Sequence, residues 1–224
     1  MADQDGDAPV HDAAPPAPVA VQLAGAEWWP VTLPGKTPTR YKAVSKDGRQ
    51  AVLAQAHASA SLLRQRLSRP AADVGEVSFS WWVPQPLAGG DVRQVGSEDA
   101  VARVVFAFGG DMAKLPLRTR MQFELMQALT GEPPPYATLM YVFDGSAPVG
   151  SVVVNPRSDR IRKIVLDTGA DGLKRWRDHR RDLRQDFQRA FGEDPGPLQA
   201  VAVMTDTDNT GGQAETWYGP VTFH

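Results

Sequence analysis

The chain of 224 residues contains no cysteine. That absence excludes disulfides, a thiolate nucleophile and thiolate-held zinc, and it leaves the redox compartment open. Long apolar runs are missing too. None approaches the roughly 20 residues that a membrane-spanning helix needs. Charge of one sign is scarce: the formal net charge is −2, a field too weak to imply a nucleic-acid partner. The chain also lacks an HExxH zinc spacing and a strained G-x-S-x-G nucleophile turn. One stretch departs from the charge balance, with eleven Lys/Arg against six Asp between Arg157 and Arg189. A solvated helix face explains it better than an anion-binding patch.

What is present points to strands. Hydrophobic residues make up 42%, and 20 Gly and 19 Pro supply frequent turns, which suits many short strands better than a helical bundle. Residues 1–22 are rich in Asp, Ala and Pro and lack aromatics, so a disordered N-terminal tail is expected there. No signal peptide is visible, although this small, acidic opening has the character of a mature exported protein. Residues 23–224 are expected to form a single domain.

Local patterns fill in that domain. Asp47-Gly48 sits between two alternating runs and predicts a tight hairpin, because Asp-Gly tolerates the positive φ such a turn requires. In the second arm, AVLAQAHASAS, small apolar residues alternate with Gln55, His57, Ser59 and Ser61. EVSFSWWVPQ, EDAVARVVFAF, ATLMYVF, PVGSVVV, RKIVLD, LQAVAVMT and AETWYGPVTF read as further strands. Leu117, Met121, Leu125 and Leu129 recur at helical spacing and end at Gly131, which predicts a short helix. A second helix is predicted from about Gly172 to Phe191, with Leu173, Trp176, Arg180, Leu183, Phe187 and Phe191 on one face. The sum predicts a mainly β protein: a two-layer antiparallel β-sandwich, jelly-roll or galactose-binding-like, with two inserted helices. A mixed α+β fold is the alternative.

The motifs TLMYVF, PVGSVVVNPRSDRIRKIV, RDLRQDFQRAFGEDPGPL, AVAVMTDTDNTG and WYGPVTF resemble the C-terminal part of a bacterial family, domain of unknown function 3047. KTPTRY, HASAS, SFSWWV and EDAVARVVFAF resemble its N-terminal half, so the likeness runs from about residue 28 to 223. Glu98-Asp99 stands where the family pattern has two Asp, and Phe143 where it has Trp. The resemblance implies export, to the periplasm or outside the cell, and no particular activity. The architecture is also similar to jelly-roll carbohydrate-binding modules.

Asp206-Thr-Asp-Asn-Thr-Gly211 begins like a calcium loop, but Thr210 and Trp217 occupy positions where further oxygen ligands belong. The EF-hand match fails there, and calcium is left as a looser site completed from other loops. The competing reading is a strand connection held by Asx-turns. Arg180, in the middle of an apolar helical face, needs a carboxylate partner. Asp206, next to the apolar run VAVMT, is expected to be that partner in a structural ion pair, leaving Asp208 and Asn209 outward. His57, Ser59 and Ser61 do not read as a hydrolase triad, because residues two apart on a strand are about 7 Å apart. Glu98, Asp99, Asp206 and Asp208 are the carboxylates that could pair for glycoside hydrolysis. Trp28, Trp29, Trp81, Trp82 and Trp217 are candidates for stacking on a sugar ring, although most Trp in sandwiches fill the core.

These patterns lead to one expectation: a non-catalytic binder of a glycan or cell-envelope component, with His57, Ser59 and Arg103 on the binding face, Asp208 and Asn209 at its rim, and no cofactor. The alternatives are a glycan-active hydrolase using a carboxylate pair and a structural or protein-interaction module.

Overall fold

The computed structural model of the chain describes residues 19–224. Fourteen strands follow in chain order: β1 (Val21–Leu23), β2 (Ala26–Thr32), β3 (Arg40–Lys46), β4 (Arg49–His57), β5 (Ser61–Arg69), β6 (Glu76–Trp82), β7 (Ala102–Phe108), β8 (Ala137–Asp144), β9 (Val152–Asn155), β10 (Ser158–Thr168), β11 (Trp176–Asp182), β12 (Leu198–Met204), β13 (Gln213–Tyr218) and β14 (Thr222–Phe223). Helix α1 (Leu117–Thr130) joins β7 to β8, and α2 (Leu183–Phe191) follows β11. The strands form an eight-stranded sheet, β1-β2-β5-β12-β7-β8-β10-β9, and a six-stranded sheet, β11-β6-β13-β4-β3, with β14 on β6. The architecture is the expected mainly β two-layer sandwich with two inserted helices. One pair, β8 with β10, is parallel. Strand β1 starts inside the segment expected to be a tail, and residues 1–18 of that expectation lie outside the described residues. Among the described residues no helix is long and apolar enough to cross a membrane.

One apolar core fills the space between the sheets. Phe79 of the smaller sheet stacks on Tyr141 of the larger at 5.3 Å between ring centroids. Burying each such ring contributes about 1.5–3 kcal/mol. Polar ties reinforce the contact. The Tyr218 hydroxyl, at the end of β13, donates to the Met204 carbonyl at 2.6 Å and accepts from the Arg103 amide at 3.2 Å. Thr216 donates to the Val101 carbonyl at 2.6 Å.

The β3–β4 turn has the form its sequence requires, with Asp47 and Gly48 both at positive φ. The second arm is shorter than AVLAQAHASAS implies. Strand β4 stops at His57, Ala58 turns the chain at φ 44°, and β5 begins at Ser61. The largest departure is at 172–182, where a strand replaces the first half of the expected helix. Seven consecutive residues, Trp176–Asp182, pair in register with Trp82–Glu76 of β6. The helix begins only after Asp182, whose carboxylate accepts from the Gln185 amide at 2.9 Å and caps α2. The inward residues Arg177, His179 and Arg181 find carboxylates across the core edge, at Asp167 and Asp186. Helix α1 forms as expected and ends on Gly131 at φ 77°. Its stripe of Leu117, Met121, Leu125 and Leu129 is exposed rather than packed on the core.

Candidate functional site

Two groups of residues compete for the role of a site. The first gathers around Asp206. Asp99, Asp206 and Asp208 each bring a carboxylate oxygen within 4.8 Å of the others. The oxygens of Asp99 and Asp206 are already engaged. Asp206, buried, holds Arg103 in a two-pronged ion pair, Nε to Oδ1 at 2.9 Å and Nη2 to Oδ2 at 2.7 Å, and accepts from the Ala100 amide at 3.0 Å. Asp99, also buried, accepts from the backbone and side chain of both Asn209 and Thr210, at 2.7 to 3.3 Å. Asp208 pairs with Lys36. Arg103 also donates to the Glu98 carbonyl at 2.5 Å. The Glu98 carboxylate receives Arg157, Asn155 and the fully buried Lys163. Burial, against the opposing pull of Arg103, raises Asp206 to about 6. Burial and the neighbouring Arg103 lower Lys163 to about 8.

The expected Arg180–Asp206 pair is therefore corrected. Arg180 lies on β11, not on a helix, and points outward to Glu76 at 2.5 Å. Asp206 faces inward, and its arginine partner is Arg103. The predicted binding residues do not share a face either. Arg103 is buried on the eight-stranded sheet at 4% exposure, while His57 is exposed at the end of β4 on the other sheet. Ser59 is buried, accepting from the His57 amide at 3.0 Å and lying 3.2 Å from the Thr39 hydroxyl. Asp208 and Asn209 stand at the edge of the Asp206 group, on Lys36 and Asp99.

The second group occupies the outer face of the six-stranded sheet. Register places Trp176 of β11 opposite Trp82 of β6, Trp82 opposite Trp217 of β13, Trp217 opposite Leu53 of β4, and Leu53 opposite Lys42 of β3. Side chains opposite one another share a face, so one row across the sheet reads Trp, Trp, Trp, Leu, Lys. All three indoles are half-buried. Trp82 and Trp217 meet edge to face, with centroids 5.0 Å apart and planes at 84°, which makes an L-shaped aromatic corner.

The face carrying this row is strongly curled. Arg49 of β4 reaches Asp178 of β11 at 2.6 and 3.3 Å. Those strands are three places apart in the sheet, a flat distance of about 14 Å at the usual strand spacing. Lys46 of β3, also three places from β6, holds its Nζ 4.0 Å from the Trp82 ring. Contacts of that length across three strands require the face to be concave. A cleft of about 510 Å³ opens beside the row, lined by Arg49, Ser80, Asp178, His179 and Thr222 among others. It lies where β13 ends at Tyr218 and the chain runs through Gly219, whose amide donates to the Ser80 carbonyl at 2.9 Å, and Pro220 before pairing with β6 again as β14.

Sequence reasoning missed Trp176, because the residue was assigned to a helix. The signal was the alternation in WRDHRRD, where Trp176, Asp178 and Arg180 fall on one face and Arg177, His179 and Arg181 on the other. Of the other tryptophans, Trp28 and Trp81 are core residues, and Trp29 is exposed on the eight-stranded sheet.

By fold the chain is a curled two-sheet β-sandwich with an aromatic row on its concave face. It matches, over residues 26–222, the family described as protein of unknown function (DUF3047), and it belongs to that family. No curated protein matches it. Among solved structures it is similar to the xyloglucanase domain of NopAA, a type three effector from Sinorhizobium fredii in complex with cellobiose, at 10% identity and a TM-score of 0.45, covering 88% of this chain and 93% of that one. A family 12 xyloglucanase from Bacillus licheniformis shows 9% identity and a TM-score of 0.43, with coverage of 91% and 88%. A cellulase derived from Cel12A of Rhodothermus marinus shows 14% and 0.40, with coverage of 92% and 89%.

Proposed function

We propose that the protein binds a glycan on the concave face of its six-stranded sheet, without cleaving it. The observation that carries this reading is the row of half-buried tryptophans, Trp176, Trp82 and Trp217, on three adjacent strands of a curled face. Large aromatic surface left partly exposed in one contiguous row is a marked departure from a soluble surface of scattered apolar groups. An indole presents a flat apolar face that packs on the C–H face of a sugar ring. Hydroxyls at the ring edge meet polar neighbours, here Ser80, Gln55, Glu215 and Asp178.

The carboxylates nearest the row support a non-catalytic role. Asp178 and Glu215 lie on opposite sides of it, and the register sets them four residues apart along the strands. That spacing is about 13 Å, beyond the roughly 5–10 Å that either mode of glycoside hydrolysis requires. Asp178 is tied to Arg49, and Glu215 accepts from Gln55 at 2.7 Å. The carboxylates that do converge, around Asp206, are held by cations and amides as described above. In this reading the protein meets its glycan outside the cytoplasm.

The test is affinity electrophoresis of the purified chain in gels containing soluble polysaccharides, beside a reducing-end assay on the same polymers. Retardation that disappears in Trp217→Ala and Trp82→Ala, with no new reducing ends, is the expected result. Release of reducing ends by the wild-type chain, abolished in Glu215→Gln or Asp178→Asn, would establish the hydrolase instead.

A further inference from the structure

The charged groups around the aromatic corner are unevenly matched. On the β6 and β11 side each cation has a carboxylate: Arg180 has Glu76, and Arg49, reaching over from β4, has Asp178. On the opposite side, edge strand β3 turns Arg40, Lys42 and Lys46 to the same face as the tryptophans. Among the described residues Arg40 and Lys42 form no ion pair. Lys46 has only its sequence neighbour Asp47, at 3.4 Å on an exposed hairpin tip. The one carboxylate on the β13 part of this face, Glu215, is level with Gln55 and Arg40. Three cations with unused donors thus stand at one end of the row, and Lys42 is in the row itself.

Lys46 adds a geometric argument. Its ammonium is held over the Trp82 ring at 4.0 Å and lies 5.4 Å from the Trp217 ring. A cation over an aromatic face is attracted by the ring quadrupole. A neutral sugar stacking on Trp82 has to displace that ammonium and lose the contact. A sugar that carries a carboxylate on its ring edge gains a partner for the same ammonium while its C–H face packs on the indole. A charge-assisted contact of this kind is roughly twice as strong as a neutral one.

We infer that the concave face is built for an acidic polysaccharide, a polyuronate in chemical terms. The sugar ring rests in the Trp82–Trp217 corner, and Lys42 and Lys46 take the uronate carboxylate. This inference rests on the glycan-binding reading above and adds the class of ligand.

The test compares three polymers with the full chain at low ionic strength: polygalacturonate, neutral xyloglucan, and poly-glutamate, which carries carboxylates but no sugar ring. Two variants accompany them, Trp217→Ala and the pair Lys42→Gln with Lys46→Gln, each first shown to be folded by a cooperative melting transition above the assay temperature. The expected result is that polygalacturonate binds best, that the lysine pair weakens it roughly tenfold or more, and that Trp217→Ala weakens it as well. Xyloglucan bound as tightly as polygalacturonate, and unaffected by the lysine variants, overturns the ligand class and leaves the glycan-binding reading standing. Poly-glutamate bound as tightly as polygalacturonate, with Trp217→Ala silent, reduces the face to a charged surface and overturns both. Failure of every sugar polymer to bind also overturns both.

Discussion

Asp206, the centre of the acidic group, and Trp217, the β13 member of the tryptophan row, lie eleven residues apart in the last quarter of the chain, and the two groups use different materials. The acidic group has the residue types that suggest chemistry, yet its carboxylates are buried and matched to arginine, lysine and amide donors. The tryptophan row has the residue types that fill cores, yet it is left half-open on a curled face. Partner count, rather than residue type, separates the two. A buried polar group with every bond made is a means of holding loops and sheets together, and breaking it is costly. An apolar group with part of its surface still in water has contact left to give.

This contrast is broken or sharpened by a graded set of variants. The largest effect belongs to Arg103→Ala, which strands the buried Asp206 carboxylate; denaturant unfolding should show a loss of about 3–5 kcal/mol. A near-neutral result would mean that the group is not structural. Asp99→Ala removes the acceptor shared by Asn209 and Thr210, and a loss of about 2–3 kcal/mol is expected. For Trp217→Ala the balance reverses. Stability falls by about 1–2 kcal/mol, while glycan affinity drops by a factor on the order of 30.

Acid titration reads a third polar cluster. Burial works against ionisation of Asp167, yet hydrogen bonds from His179, Arg177 and Trp81 hold its carboxyl at about 2, below the ordinary 3.8. The folded form therefore binds this proton less readily than the unfolded chain. The resulting stability is present above pH 4 and is lost as the pH falls through about 2. Melting temperatures followed over that window should show a slope that Asp167→Asn flattens. The smallest effects are two null results: Arg180→Ala leaves the melting temperature unchanged, since its pair with Glu76 lies on the solvent-exposed surface, and added calcium or chelator also produces no shift, because cations and amides already occupy most of the Asp206 group.

Much of the fold was legible because its signals are local. The Asp47-Gly48 turn, the alternation in EVSFSWW with Phe79 and Trp81 inward, and the Gly131 stop of α1 each depend on a few neighbouring residues. Residues 172–182 were not legible, since positions four apart share a face of a helix and of a strand alike. Trp176 and Arg180 satisfied both patterns, and the deciding partner, β6, is a hundred residues away. The site failed for a related reason. That Asp206 turns inward follows from the apolar run before it, but the identity of its arginine depends on which strands pair across 103 residues. The Trp82–Trp217 corner likewise exists only once β13 is laid against β6.

Tyr218 gives these two regions a mechanical relation. It follows Trp217 directly on β13, and its hydroxyl is held by the Met204 carbonyl and the Arg103 amide on the opposite sheet. One peptide bond therefore separates the aromatic corner from the anchor of the carboxylate group. A surface braced so close behind its contact point has little freedom to surrender when a ligand lands, which lowers the entropic cost of association. On the proposed glycan-binding reading, the buried acidic group is the foundation of the ligand face, and the Arg103 amide becomes a place to watch for occupancy from the far side of the molecule.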